Sequence, residues 1–283
     1  MPTSDIYIGT HKIRKDVYMS ENNELRLSVS KVKVYSQCQK KYFYQYIAKM
    51  PMRDEEGFFI LGKLCHKALE LFHLHYINFP LSKDPYNKIM GKAFKDACLD
   101  AKNELTKEIK SDAYRMIDKY LKSISTNKKN NKIANVLFAE KQFSIPIAND
   151  VLLSGIIDRV DFDDDQVYHI LDYKTTKEKR YLENDLLQLK CYSYVLLYQQ
   201  PELKKIRCSY YLLKHGELIT KEFYPEEILK VKDVFIDYAS RIRAETEYKP
   251  NPNFLCRYCP FLDSCNEGKD KVSPQLKYGE IDY

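Results

Sequence analysis

The stretch from Gly155 to Lys177, GIIDRVDFDDDQVYHILDYKTTK, constrains the fold of this chain more than any other. Two apolar runs, LLSGIIDRVDF and VYHILDYK, alternate in polarity at their ends and are separated by the acidic segment DDDQ. Apolar runs of this kind, separated by polar turn residues, are typical of two β-strands joined by a tight turn. The sequence therefore predicts a β-hairpin around which the rest of the chain is organised.

The predicted hairpin places carboxylates and an ammonium group near one another. Because strand side chains repeat with period two, Asp172 and Lys174 project from one face and Tyr173 from the other. Asp158, on the partner strand, can be brought beside them. Two carboxylates and an ammonium can hold a divalent cation and a water molecule next to a phosphate. The alternative is a solvated ion pair on a sheet edge, which is the usual interpretation of an isolated Asp-x-Lys tripeptide.

The composition is that of a soluble globular protein. At 283 residues the chain is long enough for one sizeable core with an insertion, or for two small domains. No apolar run approaches the roughly 20 residues that span a bilayer, and the N-terminus lacks the apolar segment of a signal peptide. We therefore expect an intracellular, cytoplasmic protein with no membrane partner. A net charge of +6 permits a polyanionic partner but does not require one, because 46 basic residues are interleaved with 40 acidic ones.

Helices and strands are predicted on both sides of the hairpin. Before it come a helix capped by Ser28 or Ser30, a buried helix over GFFILGKLCHKALELFHLHYI, a helical insertion ending in the basic run STNKKNNK, and a strand over NVLFAEKQFSIPI. After it come an apolar helix over 183–200, a second hairpin over IRCSYYLLKHGELITKEFY, and an amphipathic helix over EEILKVKDVFIDYASRIRAE. This mixture of helices and strands predicts an α/β fold.

The buried helix carries three polar residues on one face. His66, Glu70 and His73 lie at positions i, i+4 and i+7, so they share one side of the helix. Together they could ligate a metal ion. The alternative is that each is an ordinary packed or surface residue, which is the commoner fate of a lone helical histidine.

The eight cysteines fall into two groups. Four lie singly within apolar segments and are interpreted as small buried hydrophobic residues: Cys65, Cys98, Cys191 and Cys208. The others are Cys38 and the late run Cys256-x-x-Cys259-x5-Cys265. Thiolates grouped in this way in an intracellular protein usually bind metal. Both zinc and an iron-sulfur cluster accept this set, and the spacing alone does not choose between them.

Several motifs, taken in order, resemble those of the PD-(D/E)XK nuclease superfamily. The matching segments are GKLCHKALE with Gly62 and His66, GIIDRVD with Asp158, LDYKTTK with Asp172 and Lys174, and QLKCY with Gln188 and Tyr192. Within the superfamily, the chain is most similar to the RecB-like group that includes AddB-type and CRISPR-associated nucleases with an iron-sulfur cluster. Each motif alone is weak, but their order over roughly residues 28–267 is specific.

The resemblance implies a fold and a domain organisation. The fold is α/β, with a restriction-endonuclease-like mixed sheet flanked by helices, a helical insertion at 80–132 and a C-terminal iron-sulfur clasp at 250–267. A RecB-like nuclease domain at 27–270 would follow an N-terminal arm at 1–26 and precede a C-terminal tail at 271–283.

The resemblance also assigns roles to individual residues. It implies catalytic roles for Asp158, Asp172, Lys174 and Gln188, and metal ligation by His66, Asp158, Asp172 and the backbone carbonyl of Tyr173. Lys174 would orient or help deprotonate the attacking water, while Gln188 and Tyr192 would orient that lysine and contact the DNA backbone. Supporting roles are expected for Glu140 and Glu70. Oxygen ligands favour Mg²⁺, whereas an imidazole ligand favours Mn²⁺.

The function implied is metal-dependent DNA cleavage, by an exonuclease acting on single-stranded DNA ends in DNA repair, recombination or CRISPR adaptation. A 4Fe-4S cluster would be held by Cys38, Cys256, Cys259 and Cys265, with Zn²⁺ as the alternative occupant. A helicase or a recombination or CRISPR complex is the expected protein partner. Two other functions stay open: a non-cleaving DNA-binding or processing subunit of a larger complex, and a zinc-stabilised scaffold.

Overall fold

The structure is a computed structural model that describes residues 6–8, 11–13, 24–52, 57–79, 84–101, 105–126, 135–163, 165–175 and 179–278. Most of the predicted N-terminal arm, residues 127–132 of the predicted basic run and the end of the predicted C-terminal tail lie outside these ranges. Within them, no helix combines the length and the apolar character that crossing a membrane requires.

Ten α-helices and eight strands are assigned in the described residues. The helices are α1 (Val29–Gln37), α2 (Gln39–Tyr42), α3 (Gly57–Asn78), α4 (Tyr86–Asp100), α5 (Lys107–Thr126), α6 (Lys179–Leu182), α7 (Leu187–Gln199), α8 (Pro225–Ile228), α9 (Lys230–Ala244) and α10 (Asn266–Tyr278). The strands are β1 (Ile6–Ile8), β2 (His11–Ile13), β3 (Leu25–Leu27), β4 (Asn135–Ala148), β5 (Val151–Phe162), β6 (Tyr168–Lys174), β7 (Ile206–Leu212) and β8 (Glu217–Phe223). A π-helical turn follows α2, and two 3₁₀ turns precede α10.

The predicted hairpin is the centre of a six-stranded mixed sheet. Strands β5 and β6 pair antiparallel, with Arg159 opposite Leu171 and Phe162 opposite Tyr168. Strand β4 pairs antiparallel along β5, whereas β3 is parallel to the start of β5. Strand β7 is parallel to β6 and antiparallel to β8. The prediction of an α/β fold with a mixed sheet and flanking helices is therefore confirmed.

Strands β4 and β5 approach closely where Gly155 faces Phe143. A Cβ atom at Gly155 would lie 2.8 Å from the Phe143 ring, closer than carbon atoms can pack. The ring also packs edge-on against Tyr192 of α7, with centroids 6.1 Å apart. The glycine thus lets an aromatic ring fill the space between the sheet and α7.

Two hydrophobic cores lie on the two sides of the sheet. One joins the sheet to α1, α7 and α9, and includes Ile170, Val195 and Phe235. The other joins α3, α4 and α5 to Tyr173 and Tyr211. The predicted helical insertion is therefore a packed part of the second core, because α4 and α5 bury their apolar faces against α3.

The first predicted helix is interrupted at Cys38. The side chain of Ser28 caps α1 by accepting a hydrogen bond from the Lys31 N–H at 3.2 Å. At Cys38 the backbone becomes extended, with φ −163°, and α2 starts immediately afterwards. The thiol accepts a hydrogen bond from the Lys41 N–H at 3.5 Å, so Cys38 acts as the N-cap of α2. The interruption therefore places this thiol at a helix terminus.

Candidate active site

Strand β6 presents Asp172 and Lys174 on one face, as the period-two pattern predicts. Asp172 is 1% exposed, and its carboxylate is in ion-pair contact with the ammonium group of Lys174. Such a buried carboxylate requires partners, since an isolated buried charge is strongly unfavourable. The alternative of a solvated pair on the sheet edge is therefore wrong.

Gln188, near the start of α7, joins Asp172 to Lys174. Its Oε1 accepts a hydrogen bond from Lys174 Nζ at 3.0 Å, and its Nε2 donates to Asp172 Oδ1 at 2.7 Å. The Nε2 also donates to the hydroxyl of Tyr192 at 2.8 Å, one helical turn later. Tyr192 is buried, so the structure gives it a role in holding Gln188. Its contact with DNA stays a prediction.

The ring of Tyr210, on β7, lies against the other side of the catalytic lysine candidate. Lys174 Nζ is 5.3 Å from the ring centroid, a cation–π distance. The Tyr210 hydroxyl donates to the backbone carbonyl of Asp185 at 2.6 Å, which fixes the ring. The motifs gave no signal for Tyr210, because its role depends on the parallel pairing of β6 with β7.

Asp158 lies beside β6, as predicted. Its Oδ2 accepts a hydrogen bond from the Tyr173 N–H at 2.8 Å. Burial and the nearby negative charge of Asp172 raise the pKa of the Asp158 carboxyl to about 7. A buried carboxylate beside a second carboxylate provides a site that a cation would stabilise.

His66 reaches the carboxylates from α3. Its Nδ1 is 3.4 Å from both Glu140 Oε1 and Asp158 Oδ2, and its Nε2 is 3.1 Å from the carbonyl oxygen of Tyr173. Burial disfavours the charged imidazole, but Asp158, Glu140 and Asp172 outweigh it and raise the pKa of His66 to about 9. Ligand atoms of His66, Glu140 and Asp158 lie within 4.8 Å of one another, close enough to hold one metal ion. We call His66, Glu140, Asp158, Asp172 and Lys174 the acidic cluster.

Glu140, for which a supporting role is predicted, lies among the candidate metal ligands. Glu140 lies on β4 opposite Asp158 of β5, because its neighbours Ala139 and Lys141 pair with Arg159 and Ile157. Its φ of 47° is in the left-handed region, which is unfavourable for a residue other than glycine and concentrates at functional sites. Sequence periodicity does not reveal this role, because a period-two pattern assumes regular strand geometry at every residue.

The metal site predicted within α3 alone is not formed. Glu70 accepts a hydrogen bond from Lys67 Nζ at 2.9 Å, and His73 is buried in a separate network. His66 instead meets residues of β4 and β5. Gly62, four residues before His66, passes the end of β6, where an added Cβ would make an ordinary contact of 3.5 Å with Thr175.

The four grouped cysteines line one cavity between α2 and the segment before α10. Backbone N–H groups point at their sulfur atoms. Cys38 Sγ accepts from Lys41 and Asn251, each at 3.5 Å, and Cys256 Sγ accepts from Asn253 at 3.4 Å. Backbone N–H groups of Phe261 and Gly268 likewise interact with Cys259 and Cys265. Burial raises the pKa of Cys259 and Cys265, and these donors act in the opposite direction by favouring the thiolate, the form in which cysteine binds metal.

The motifs and the geometry agree with a comparison against protein families. The model of the PD-(D/E)XK nuclease superfamily matches residues 26–266, which include the acidic cluster and the four grouped cysteines. The chain belongs to this superfamily. Within the matched range, the predicted residues Asp158, Asp172 and Lys174 lie together with His66, Gln188 and Glu140.

Curated relatives of this superfamily member include much longer proteins. Over 186 residues the chain is 26% identical to a subunit of the ATP-dependent helicase/deoxyribonuclease of Streptococcus pyogenes serotype M49 (strain NZ131), and to the same protein of serotype M1. The similarity covers 62% of this chain and 17% of each relative. The chain thus spans only a small part of the curated relatives it matches.

Solved structures show weaker likeness. SSO0001 is 14% identical, with 88% of each chain covered and a TM-score of 0.36. Scheffersomyces stipitis Rai1 is 11% identical, with 77% of each chain covered and a TM-score of 0.25. TM-scores this low do not establish a shared fold. Membership of the superfamily instead rests on the family match, with which the sheet topology agrees.

Proposed function

We propose that this chain is a metal-dependent deoxyribonuclease that acts as an exonuclease on single-stranded DNA ends. The observation that carries the proposal is the convergence of His66, Glu140, Asp158 and Asp172 beside Lys174 in a member of this superfamily. The side chains of His66 and Glu140 remain 30% and 22% exposed, so the cluster is accessible to a substrate.

The residues present fit a divalent cation. Carboxylate oxygens of Glu140, Asp158 and Asp172, the imidazole of His66 and the carbonyl of Tyr173 would hold it. Burial, and next the negative charge of Asp172, raise the pKa of Asp158, and a bound cation would favour its ionised form. When bound, a metal ion in such a site polarises a phosphate oxygen and lowers the pKa of coordinated water. Mn²⁺ is the favoured ion because imidazole is among the donors.

Lys174 would orient the attacking water, accept its proton if neutral, and donate hydrogen bonds to the charge that develops on the phosphate. Gln188 and the Tyr210 ring hold the ammonium group from two sides, so little reorganisation is needed during the reaction. We assign Gln188 a positioning role, with Tyr192 behind it, and we retain both as candidate contacts to the DNA backbone.

DNA as substrate and a role in repair, recombination or CRISPR adaptation are supported by the relatives, whose name combines a helicase with a deoxyribonuclease. We propose a helicase, or a larger recombination or CRISPR complex, as the protein partner. The preference for single-stranded ends follows from the resemblance to RecB-like nucleases.

The test is cleavage of end-labelled single- and double-stranded DNA with Mg²⁺ or Mn²⁺ by protein purified without oxygen. We expect stepwise shortening of single strands by the wild type and a loss of at least about 1,000-fold in the Asp172→Ala and Lys174→Ala variants. Fixed-length internal products would contradict the exonuclease assignment. DNA binding without cleavage would favour the non-cleaving subunit, and equal activity of all three proteins would reject the assigned site.

For the cysteines, we propose that Cys38, Cys256, Cys259 and Cys265 hold a 4Fe-4S cluster within a clasp at 250–267 of a nuclease domain at 27–270. The four thiols line one cavity, which supports a shared metal group. The resemblance to RecB-like nucleases supports a 4Fe-4S cluster over zinc.

Anaerobic purification followed by metal and sulfide analysis tests the cluster. We expect about four iron and four sulfide per chain with brown colour, and loss of both in Cys256→Ser. A colourless protein with one zinc per chain would establish the alternative, and with no DNA cleavage it would favour the zinc-stabilised scaffold. The nuclease proposal does not depend on this outcome.

A further inference from the structure

A second polar cluster lies on the opposite face of β6 from Asp172 and Lys174. It consists of His73, Tyr120, Arg159, Asp161 and Tyr173, each at most 5% exposed, and we call it the Arg159 cluster. Its members come from α3, α5, β5 and β6, so the helical insertion contributes one member, Tyr120 of α5. Burial of so many polar groups costs free energy unless they are paired, so the stability of the fold depends on each of these hydrogen bonds.

Arg159 is the centre of this cluster. Its Nε and Nη2 donate to both carboxylate oxygens of Asp161. Its Nη1 lies 2.6 Å from the Tyr120 hydroxyl, 3.1 Å from His73 Nε2 and 3.3 Å from the Tyr173 hydroxyl. One guanidinium nitrogen thus connects three side chains from three different elements.

The direction of the hydrogen bonds follows from the chemistry of the guanidinium. Arginine has no acceptor, so Nε2 of His73 must be one, and the imidazole is neutral. Burial and the charge of Arg159 lower the pKa of His73 well below its usual value, which agrees with a neutral imidazole. The Tyr120 hydroxyl therefore accepts from Arg159 and donates to His73 Nε2 at 2.7 Å. Removing that one oxygen leaves both neighbours with a lost partner.

Tyr173 belongs to the Arg159 cluster and contacts the acidic cluster through its backbone. Its side chain lies in the Arg159 cluster, while its N–H holds Asp158 Oδ2 at 2.8 Å and its carbonyl faces His66 Nε2 at 3.1 Å. A shift of the Tyr173 ring would move the peptide groups on either side of it, since side chain and backbone share one Cα. The position of the Tyr173 ring therefore affects two candidate metal ligands, Asp158 and His66.

We infer that Tyr120, on the helical insertion, is a positioning residue of the acidic cluster: through Arg159 it fixes Tyr173 and thereby the metal ligands that Tyr173 contacts. The inference rests on the proposed metal site, and it gives the insertion a part in the chemistry. Tyr120 itself meets Tyr173 only at its ring, with centroids 5.9 Å apart, and not at the carbonyl that would face the metal. Loss of such an outer partner typically weakens metal affinity or activity 10- to 100-fold.

The experiment compares Tyr120→Phe with Tyr211→Phe. Tyr211 is also buried, its hydroxyl bonds Ser123 on the same helix at 2.6 Å, and its ring packs on Tyr120 with centroids 5.2 Å apart. Each variant removes one tyrosine hydroxyl from a buried residue together with its hydrogen bonds, so both should lower the melting temperature by a few degrees. Only Tyr120→Phe disturbs the Arg159 cluster, so the pair separates positioning from stability.

Mn²⁺ affinity, measured calorimetrically without DNA, is the first readout. The Mg²⁺ concentration for half-maximal cleavage is the second. For Tyr120→Phe we expect about tenfold weaker Mn²⁺ binding and a similar rise in the Mg²⁺ requirement, and for Tyr211→Phe less than twofold changes in both. Equal Mn²⁺ affinity for Tyr120→Phe and wild type, or equal weakening by both variants, would overturn the inference. A tenfold Mn²⁺ difference without DNA cleavage by wild type would retain it while rejecting the nuclease proposal, and a wild type that binds no Mn²⁺ would reject both.

Discussion

Asp158 and Asp161 are both buried acids on β5, three residues apart, yet their surroundings have opposite signs. Asp161 lies against the guanidinium of Arg159, which meets both of its oxygens. Asp158 lies near a second carboxylate, that of Asp172, and its pKa is raised to about 7. Burial alone therefore does not identify a functional acid. The charge that surrounds it separates the Arg159 cluster, which stabilises the fold, from the acidic cluster, which a cation would stabilise.

The largest expected effect comes from breaking the Arg159 cluster. Arg159→Leu leaves the buried carboxylate of Asp161 without its partner, so we expect the free energy of unfolding to fall by about 3–5 kcal/mol. Urea denaturation measures this. Arg207→Leu is the control, because Arg207 pairs with Asp163, Glu222 and Asp165 at a partly exposed edge and its loss should cost only about 1 kcal/mol. Equal losses for the two variants would show that the Arg159 cluster has no special weight.

Acidification separates the two faces of β6 through one histidine beside each face. His169 lies on the Tyr173 face of β6, and burial lowers its pKa to about 4. Between pH 6.5 and 4 the unfolded chain therefore binds a proton that the folded chain excludes. As the pH is lowered through this range, the free energy of unfolding decreases by up to about 3 kcal/mol. His66, whose pKa is raised to about 9, has the opposite sign: it stabilises below pH 6.5, and this stabilisation is lost as pH rises through 9.

Unfolding free energies of wild type and His169→Gln at pH 7 and 4.5 test the first part. The decline on acidification should be smaller in the variant by about 2 kcal/mol. Parallel declines would mean that His169 is protonated as readily in the folded state as in the unfolded one, and the contrast with His66 would lose its electrostatic basis.

Replacing the ring beneath Lys174 tests how the acidic cluster is itself supported. Tyr210→Leu removes the cation–π contact, and we expect kcat to fall about tenfold while Mn²⁺ affinity is unchanged. Tyr210→Phe keeps the ring and loses only the hydrogen bond to Asp185, so kcat should fall less than threefold. Steady-state kinetics and calorimetry together make the measurement. A Phe variant as slow as the Leu variant would assign the effect to the hydroxyl instead.

The smallest expected effect is a gain in stability from removing a candidate functional residue. Asp158→Asn removes a carboxylate whose ionised form burial and Asp172 disfavour, so at pH 8 with a chelator the variant should be more stable by about 1 kcal/mol. With excess Mn²⁺ the order should reverse, because only the wild type gains binding free energy. Thermal denaturation in both buffers measures this. A variant less stable than wild type in the chelator would mean that Asp158 is a structural acid like Asp161.

Local sequence pattern was sufficient for the hairpin and for the relation of Asp172 to Lys174. Strand periodicity determines which side chains share a face, and polar residues marked the turn at Asp163. The break at Cys38 was not predicted, since helical periodicity continues through it and the extended backbone depends on contacts with the distant C-terminal segment.

The residues that were missed or underestimated depend on tertiary pairing. Glu140 faces Asp158 only in the observed β4–β5 register and with an unusual backbone angle. Tyr210 meets Lys174 because β7 runs parallel to β6, and Tyr120 meets Arg159 because the insertion packs against α3. No local pattern carries such information, because the partners lie on separate elements whose packing is a property of the whole fold.

The hydrogen bond from the Asn251 N–H to Cys38 Sγ joins residues 213 positions apart. During synthesis at roughly 5–20 residues per second, Cys38 therefore leaves the ribosome on the order of ten seconds or more before this partner and the late cysteines exist. For that interval its thiol is open to oxidants and to stray metal ions. Completion of the chain is the event that ends its vulnerability, so slow translation or premature termination after the sheet should expose Cys38 selectively to alkylating reagents.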